Sequence, residues 1–227
     1  LYKARNEAIK KADGKLIAFL DVDDWWEKNY LSSREKFFED NNYDYFYTNT
    51  MIHNEKNKTF KKYKKFRLPD GILYEYLAKD YFIIISGLIV KRNILEKENF
   101  FNQKFNIIGD YDFIMKISKY ANAKSFNEPL LNYRTHNNNF SKLNHKMFFD
   151  EYKEWFNKQS ESVDPYFKKN KRYFLLRLNE LEIINFLYEK KTFNLLSKIL
   201  KFPKISLKIK FLLAFFLPLK LIDFFRK

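Results

Sequence analysis

The run Leu16-Ile17-Ala18-Phe19-Leu20 ends directly on Asp21-Val22-Asp23-Asp24, and this junction limits the fold more than any other feature of the chain. A short apolar run that opens at an Asp13-Gly14 turn predicts a buried strand. Carboxylates crowded at the C-terminal end of such a strand repel one another unless a positive charge sits among them. A divalent metal with oxygen ligands, backed by a phosphate, supplies that charge. In open α/β sheets the crevice outside the strand ends is also where ligands bind. The junction therefore predicts a strand-end site for a metal-bound, phosphorylated substrate. The plainer alternative is a solvated acidic loop, with Asp24 capping a helix that starts near Trp26.

Strand and helix patterns alternate through the first two thirds of the chain, which argues for α/β architecture. Residues 1–12 read as an amphipathic helix, 27–41 as a second helix and 43–51 as an aromatic-rich strand. Residues 53–67 are Lys-rich and read as a hairpin with an exposed loop. A strand over 82–90 is interrupted by Ser86-Gly87. Gly109-Asp110-Tyr111-Asp112 leads into a helix, and 123–126 and 130–134 read as two short strands parted by Glu128-Pro129. From about His145 the pattern is helical, with breaks at Pro165 and Pro203. These features predict two regions, 1–145 and 146–227.

The 227 residues allow one domain plus an appendage, and a 20% aromatic content provides a large core. With no cysteine, a disulfide framework and a thiolate metal site are excluded. A net charge of +15 implies anionic partners: nucleic acid, phosphorylated substrates or an anionic membrane surface. Over 201–227 the basic residues face a single acid, Asp223, and flank the apolar stretch 211–219. That stretch is shorter than the roughly 20 residues needed to span a bilayer and suits a helix lying in the membrane interface. The chain opens at Leu1 on a helix with no strand before it, which predicts that an N-terminal portion precedes it.

The string Ala4-Arg5-Asn6-Glu7-Ala8-Ile9, followed by Ala12-Asp13-Gly14 and the strand ending in Asp21-Val22-Asp23-Asp24-Trp25, resembles the centre of the family 2 glycosyltransferases with the GT-A fold. Their pattern is A-R-N-x-G-I, then A-x-G-x-Y-I-x-F-L-D-x-D-D; Ala8 stands where the family usually has Gly. Gly109-Asp110-Tyr111-Asp112-Phe113 resembles the family's E-D-x-D-L segment, with Gly109 in place of the Glu. Tyr133-Arg134-Thr135-His136, with Ser141 beyond, resembles the Y-R-x-H-x-x-x-x-S segment. The likeness covers about residues 1–141 and lacks the family's opening strands.

The resemblance implies a GT-A, Rossmann-like sheet with helices on both faces, followed by a C-terminal helical tail. It implies an inverting sugar transferase with a nucleotide-sugar donor, a saccharide or lipid-linked acceptor and Mg2+ or Mn2+ as cofactor. In that scheme Asp23 is the direct metal ligand and His136 a second candidate. Asp21, Arg5, Asn6 and Arg134 lie near the nucleotide. Asp110 is the catalytic base, which accepts the proton of the attacking hydroxyl. Trp25, Trp26, Ser86, Gly87 and Asp112 fall on the acceptor side. The implied setting is the synthesis of a cell-surface polysaccharide or glycolipid, in the cytoplasm and peripheral on the inner face of the cell membrane through 201–227. Two rivals remain at this level. One is a haloacid-dehalogenase-like phosphohydrolase, disfavoured because Asp24-Trp25 stands where a small pair is wanted. The other is a basic nucleic-acid-binding module, which leaves the acidic tetrad without a purpose.

Overall fold

A computed structural model describes residues 1–189 and 193–216. The chain divides into two compact units, Leu1–Phe140 and Ser141–Lys227, slightly ahead of the boundary read at 145.

The first unit begins with α1 (Tyr2–Lys11), whose buried Tyr2, Asn6 and Ile9 form one face. β1 (Leu16–Ala18) follows the Gly14 turn, and β2 (Trp25–Trp26) follows the acidic tetrad. A 3-10 turn, Ser32–Arg34, and the single-turn α2 (Glu35–Phe38) lead to β3 (Tyr45–Asn54) and β4 (Thr59–Lys62). Next come α3 (Tyr74–Lys79), a 3-10 turn over Ile85–Gly87, β5 (Leu88–Lys91) and α4 (Arg92–Lys97). α5 (Gly109–Ile117) and the long β6 (Ala123–Thr135) complete the unit. The sheet runs β1-β5-β3-β6-β2, with β4 paired to the far end of β3. Only β3 and β6 pair in parallel; the other pairs are antiparallel. Tyr45, Phe46, Tyr47, Leu88 and Val90 are buried at the centre, as expected for near-continuous apolar strands covered on both faces.

Four local expectations are corrected. The helix read over 27–41 shrinks to Ser32–Arg34 and α2. The tryptophans are drawn instead into β2, and the Glu27 N–H donates to the Leu130 carbonyl at 2.9 Å. Asp24 therefore caps no helix. Trp26 stacks on buried Tyr30 at 4.3 Å, and the Arg34 guanidinium lies 4.1 Å from the Tyr30 ring centroid. That guanidinium also donates to the Tyr30 carbonyl and to Thr48 Oγ1. Burying Arg34 here takes these partners, which a straight amphipathic helix does not offer. The strand read over 82–90 is reduced to β5, because Ile85–Gly87 turns. The two short strands around Glu128-Pro129 are one strand, carried past the proline by a register shift opposite Thr48–Thr50. A bulge tolerates the missing proline N–H, and the Thr48 hydroxyl bonds to the Glu128 carbonyl at 2.9 Å.

In the second unit a short turn, α6 (Phe140–Leu143), which begins on the first unit's last residue, precedes α7 (His145–Glu161) and α8 (Pro165–Glu189). The proline opens α8 at the position where a missing N–H costs least. Trp155, Phe167 and Phe174 pack these helices together, the two phenylalanines stacking at 5.1 Å. α9 (Phe193–Lys201) and α10 (Ile205–Phe216) add a second cluster around Ile183, Leu187, Ile199 and Phe211. The amphipathic segment read over 201–227 is described as far as Phe216, and its remainder lies outside the described residues. Among the described residues no helix is long and apolar enough to cross a membrane.

Candidate active site

The tetrad Asp21–Asp24 closes as a tight turn after β1, with the Asp24 N–H donating to the Asp21 carbonyl at 3.1 Å. Its three carboxylates have different surroundings. Asp24 is buried. Its Oδ2 accepts the Ser86 hydroxyl at 2.5 Å and its Oδ1 accepts the Arg134 N–H at 3.0 Å. Burial, together with the charges of Asp23 and Asp21, pushes its carboxyl up to about 6 against the pull of those two hydrogen bonds. Ser86 also accepts the Asp21 N–H at 3.2 Å, and its carbonyl takes Trp26 Nε1 at 2.7 Å. Ser86 thus ties the turn to the segment before β5.

Asp23 stays partly open. Its Oδ2 lies 3.0 Å from His136 Nε2 and 3.3 Å from Asn139 Nδ2. Arg134 Nε donates to the Asp23 carbonyl at 2.9 Å. His136 Nδ1 accepts the Asn138 N–H at 3.2 Å, which turns Nε2 toward Asp23. Because Nδ1 accepts here, the neutral ring carries its proton on Nε2 and donates it to Asp23, so His136 orients that carboxylate and offers no lone pair to a metal. Of the two expected metal ligands, Asp23 could hold a cation, whereas His136 as held here serves as its hydrogen-bond partner. Among the described residues no three acidic or histidine side chains form a closed cage. A lone open carboxylate fits an ion that takes its remaining ligands from substrate phosphates and water.

Asp21 accepts the Arg5 guanidinium brought in by α1. Burial works against the Arg5 charge, but Asp21 and Tyr2 hold it more firmly than usual, with Asp110 adding to them. Asp110 lies in the first turn of α5, where it takes the Tyr2 hydroxyl at 2.7 Å. Burial pushes its carboxyl up, Asp21 adds to the push, and Tyr2 and Arg5 oppose it. Arg5 therefore lies in the field of both the tetrad and Asp110. Burial drives the Tyr133 hydroxyl on β6 well above the phenol range, with Asp24, Asp23, Asp21 and Asp110 adding to the push.

These contacts join Arg5, Asp21, Asp23, Ser86, Trp26, Arg134 and His136 into one constellation, with Asp110 linked through Arg5 and Tyr2. Trp25 is exposed at its edge, 4.5 Å from the His53 ring and 5.7 Å from the Arg134 guanidinium. Three other predicted residues are turned into packing. The Asn6 amide both donates to and accepts from the Phe101 backbone. Gly87 lies so close to Thr48 and Leu131 that a Cβ would fall 2.8 Å from Thr48 Cγ2. Buried Asp112 pairs with Lys116 of its own helix at 2.8 Å.

Sequence reading missed Tyr2, Asn139 and Tyr133. Tyr2 is signalled by its i, i+3 spacing to Arg5, which puts both on one helix face. Tyr133 sits beside Arg134 in a segment already singled out. Asn139 gave no signal beyond its place in a polar turn. Gly109 also finds its reason here: a Cβ there would lie 2.5 Å from the Tyr2 ring.

The family model for glycosyl transferase family 2 matches residues 1–126, more than half of the chain. The chain belongs to that family. An Escherichia coli protein named UDP-Glc:alpha-D-GlcNAc-diphosphoundecaprenol beta-1,3-glucosyltransferase is 34% identical over 124 residues, covering 55% of this chain and 46% of its own. An uncharacterised glycosyltransferase of Methanocaldococcus jannaschii is 29% identical over 175 residues, covering 73% and 59%. The chain therefore spans about half the length of these curated relatives. The crystal structure of S. aureus TarS 1–349 matches with a TM-score of 0.54 at 16% identity, covering 99% of this chain and 68% of that one. This last likeness places the fold in the GT-A class. Family membership sets aside the phosphohydrolase and nucleic-acid readings.

Proposed function

We propose that this protein transfers a sugar from a nucleoside-diphosphate donor to a hydroxyl of a saccharide or lipid-linked acceptor, with inversion, in the synthesis of a cell-surface polysaccharide or glycolipid. One observation carries the reading: α1 bridges the acidic turn and Asp110, distant in sequence, with Arg5 donating to Asp21 and the Tyr2 hydroxyl to Asp110. A diphosphate at the turn would lie beside Arg5 and Arg134, which supply positive charge. Mg2+ or Mn2+ held by Asp23 would offset the charge that builds on the departing diphosphate.

Asp110 accepts the proton of the acceptor hydroxyl as that oxygen bonds to the anomeric carbon. The bond from that carbon to the diphosphate oxygen breaks, and its electron pair leaves with the diphosphate. A carboxyl pushed upward by burial is a better base than an ordinary aspartate at neutral pH. Tyr2 holds Asp110 in place. The relative's printed donor and acceptor, UDP-glucose and a diphosphoundecaprenol-linked GlcNAc, are the first pair to try.

The test is UDP binding followed by tryptophan fluorescence, with and without Mn2+, beside transfer from UDP-glucose. Metal-enhanced UDP binding that Asp23→Ala abolishes and Asp110→Asn preserves supports the reading. Binding indifferent to both metal and Asp23 defeats it.

A further inference from the structure

The β3–β4 hairpin carries an unbalanced charge that the transfer chemistry does not use. Lys56, Lys58, Lys61, Lys62, Lys65 and Arg67 are all exposed. No ion pair among the described residues involves any of them. The acid within the segment, Glu55, turns away to Arg134 at 3.4 Å, and Lys64 is taken by Asp80 at 2.5 Å. Elsewhere in this unit some cations are paired, as in Lys124–Asp70 and Lys116–Asp112, and the unpaired ones are not gathered on one hairpin. Among the unpaired cations stand two aromatic rings, Phe60 at 67% and Phe66 at 49% exposure.

Lysine on an edge strand has an ordinary explanation, since it blocks pairing with another sheet. One or two lysines do that, and an outward phenylalanine works against it. All four residues of β4 are exposed, with Phe60 directly across from His53. Cations around an aromatic ring on a projecting edge match the interface of a bilayer containing anionic lipid. The headgroup layer accepts the ring, and the surface potential attracts the lysines.

We propose that this hairpin docks the protein on an anionic membrane surface. The occupant is chosen by charge complementarity joined to the exposed rings. Single-stranded nucleic acid also attracts cations, but it asks for a basic groove with rings open for stacking. Here the Phe60 ring meets His53 edge to face at 4.6 Å. Phe66 meets Phe82 in the same way at 6.2 Å. The docking does not depend on the transferase reading. If that reading holds, the ring contacts Phe60–His53–Trp25 connect the membrane side to the acidic turn, which suits an acceptor anchored in lipid.

Sedimentation with vesicles tests this directly on the full chain. Vesicles of phosphatidylcholine with about a quarter phosphatidylglycerol are expected to bind the protein, and phosphatidylcholine alone is not. Binding should fall as salt rises. Replacing Lys58, Lys61, Lys62 and Lys65 with Gln should weaken it on the order of a hundredfold, at about fivefold or less per lysine. The same four positions changed to Arg should bind like the parent. Phe60→Ser should lower binding several-fold and leave its salt dependence unchanged. Because these sites are exposed, the melting temperature should hold in every variant.

Three results would overturn the proposal: no binding by the parent, equal binding to both vesicles, or a Gln variant that binds as the parent does. The last would move the contact to the tail if Lys201, Lys204, Lys208 and Lys210 to Gln abolished it. Loss of oligonucleotide capture in the hairpin variant with vesicle binding intact would equally refute a membrane partner.

Discussion

The acidic turn Asp21–Asp24 and the N-terminus of α5 at Gly109–Asp112 solve one problem in the same way. Each presents more carboxylates than the fold can leave in solvent. In each, one is consumed by the structure: Asp24 by Ser86 and the Arg134 N–H, Asp112 by Lys116. In each, another has no full ion pair with Lys or Arg: Asp23, partly open beside His136, and Asp110, sheltered beneath the Tyr2 hydroxyl. The proposed function assigns chemistry to Asp23 and Asp110 and leaves structural roles to Asp24 and Asp112. Sequence adjacency does not reveal which those are, because Asp23 and Asp24 are the same residue type one position apart.

The comparison breaks most visibly at α5. Asp110→Asn should reduce turnover by two to four orders of magnitude, in the range of a lost general base, with little change in UDP affinity or melting temperature. Asp112→Asn should leave catalysis within a few-fold. If the two variants lose activity alike, the division of roles within α5 is wrong.

At the turn the contrast is one of stability. Asp24→Ala orphans the Ser86 hydroxyl and the Arg134 N–H, at a cost of about 2–4 kcal/mol. Asp23→Ala should cost less than about 1 kcal/mol while removing metal-dependent UDP binding. Urea midpoints paired with UDP titrations would separate the two.

Gly109 is fixed by the same Tyr2 that holds Asp110. A Cβ there drives into the Tyr2 ring, so Gly109→Ala should destabilise by about 1–3 kcal/mol. With Tyr2→Ala in the background the same change should cost less, and a double-mutant cycle would read the coupling.

The smallest effect lies at an ordinary structural carboxylate. Asp70 accepts the Ser125 N–H at 2.7 Å and Lys124 Nζ at 2.8 Å. Burial opposes its charge, but those partners hold it below the usual carboxylate range. A lowered folded pKa means stability that is present above the ordinary carboxylate range and lost as pH falls through the folded value. Asp70→Asn should therefore lower the melting temperature modestly at neutral pH, with the gap closing in acid. The carboxylate is more than a third exposed, so screening keeps the effect below about 1 kcal/mol.

Much of the first unit was legible in its residues. β1, the β3–β4 hairpin and α5 stand close to where periodicity and turn signals put them, because those signals are local. The helix over 27–41 misled for a nonlocal reason. Trp25 and Trp26 pair with β6, more than a hundred residues away in sequence, and Arg34 reaches Thr48 on β3. Pro129 looked like a strand end because nothing local shows that β3 tolerates a bulge there. Asn6 and Gly87 matched site motifs yet serve packing, and only their neighbours across the fold show that.

By itself the sequence determined the family, the strand leading to an acidic turn and the basic excess, since each follows from residue type and near spacing. Only the tertiary structure decided which aspartates are taken up by packing, that Tyr2 holds Asp110, and that the hairpin cations have no ion-pair partner among the described residues. Those outcomes depend on side chains brought together from distant positions, where desolvation and hydrogen bonding separate one carboxylate from the next.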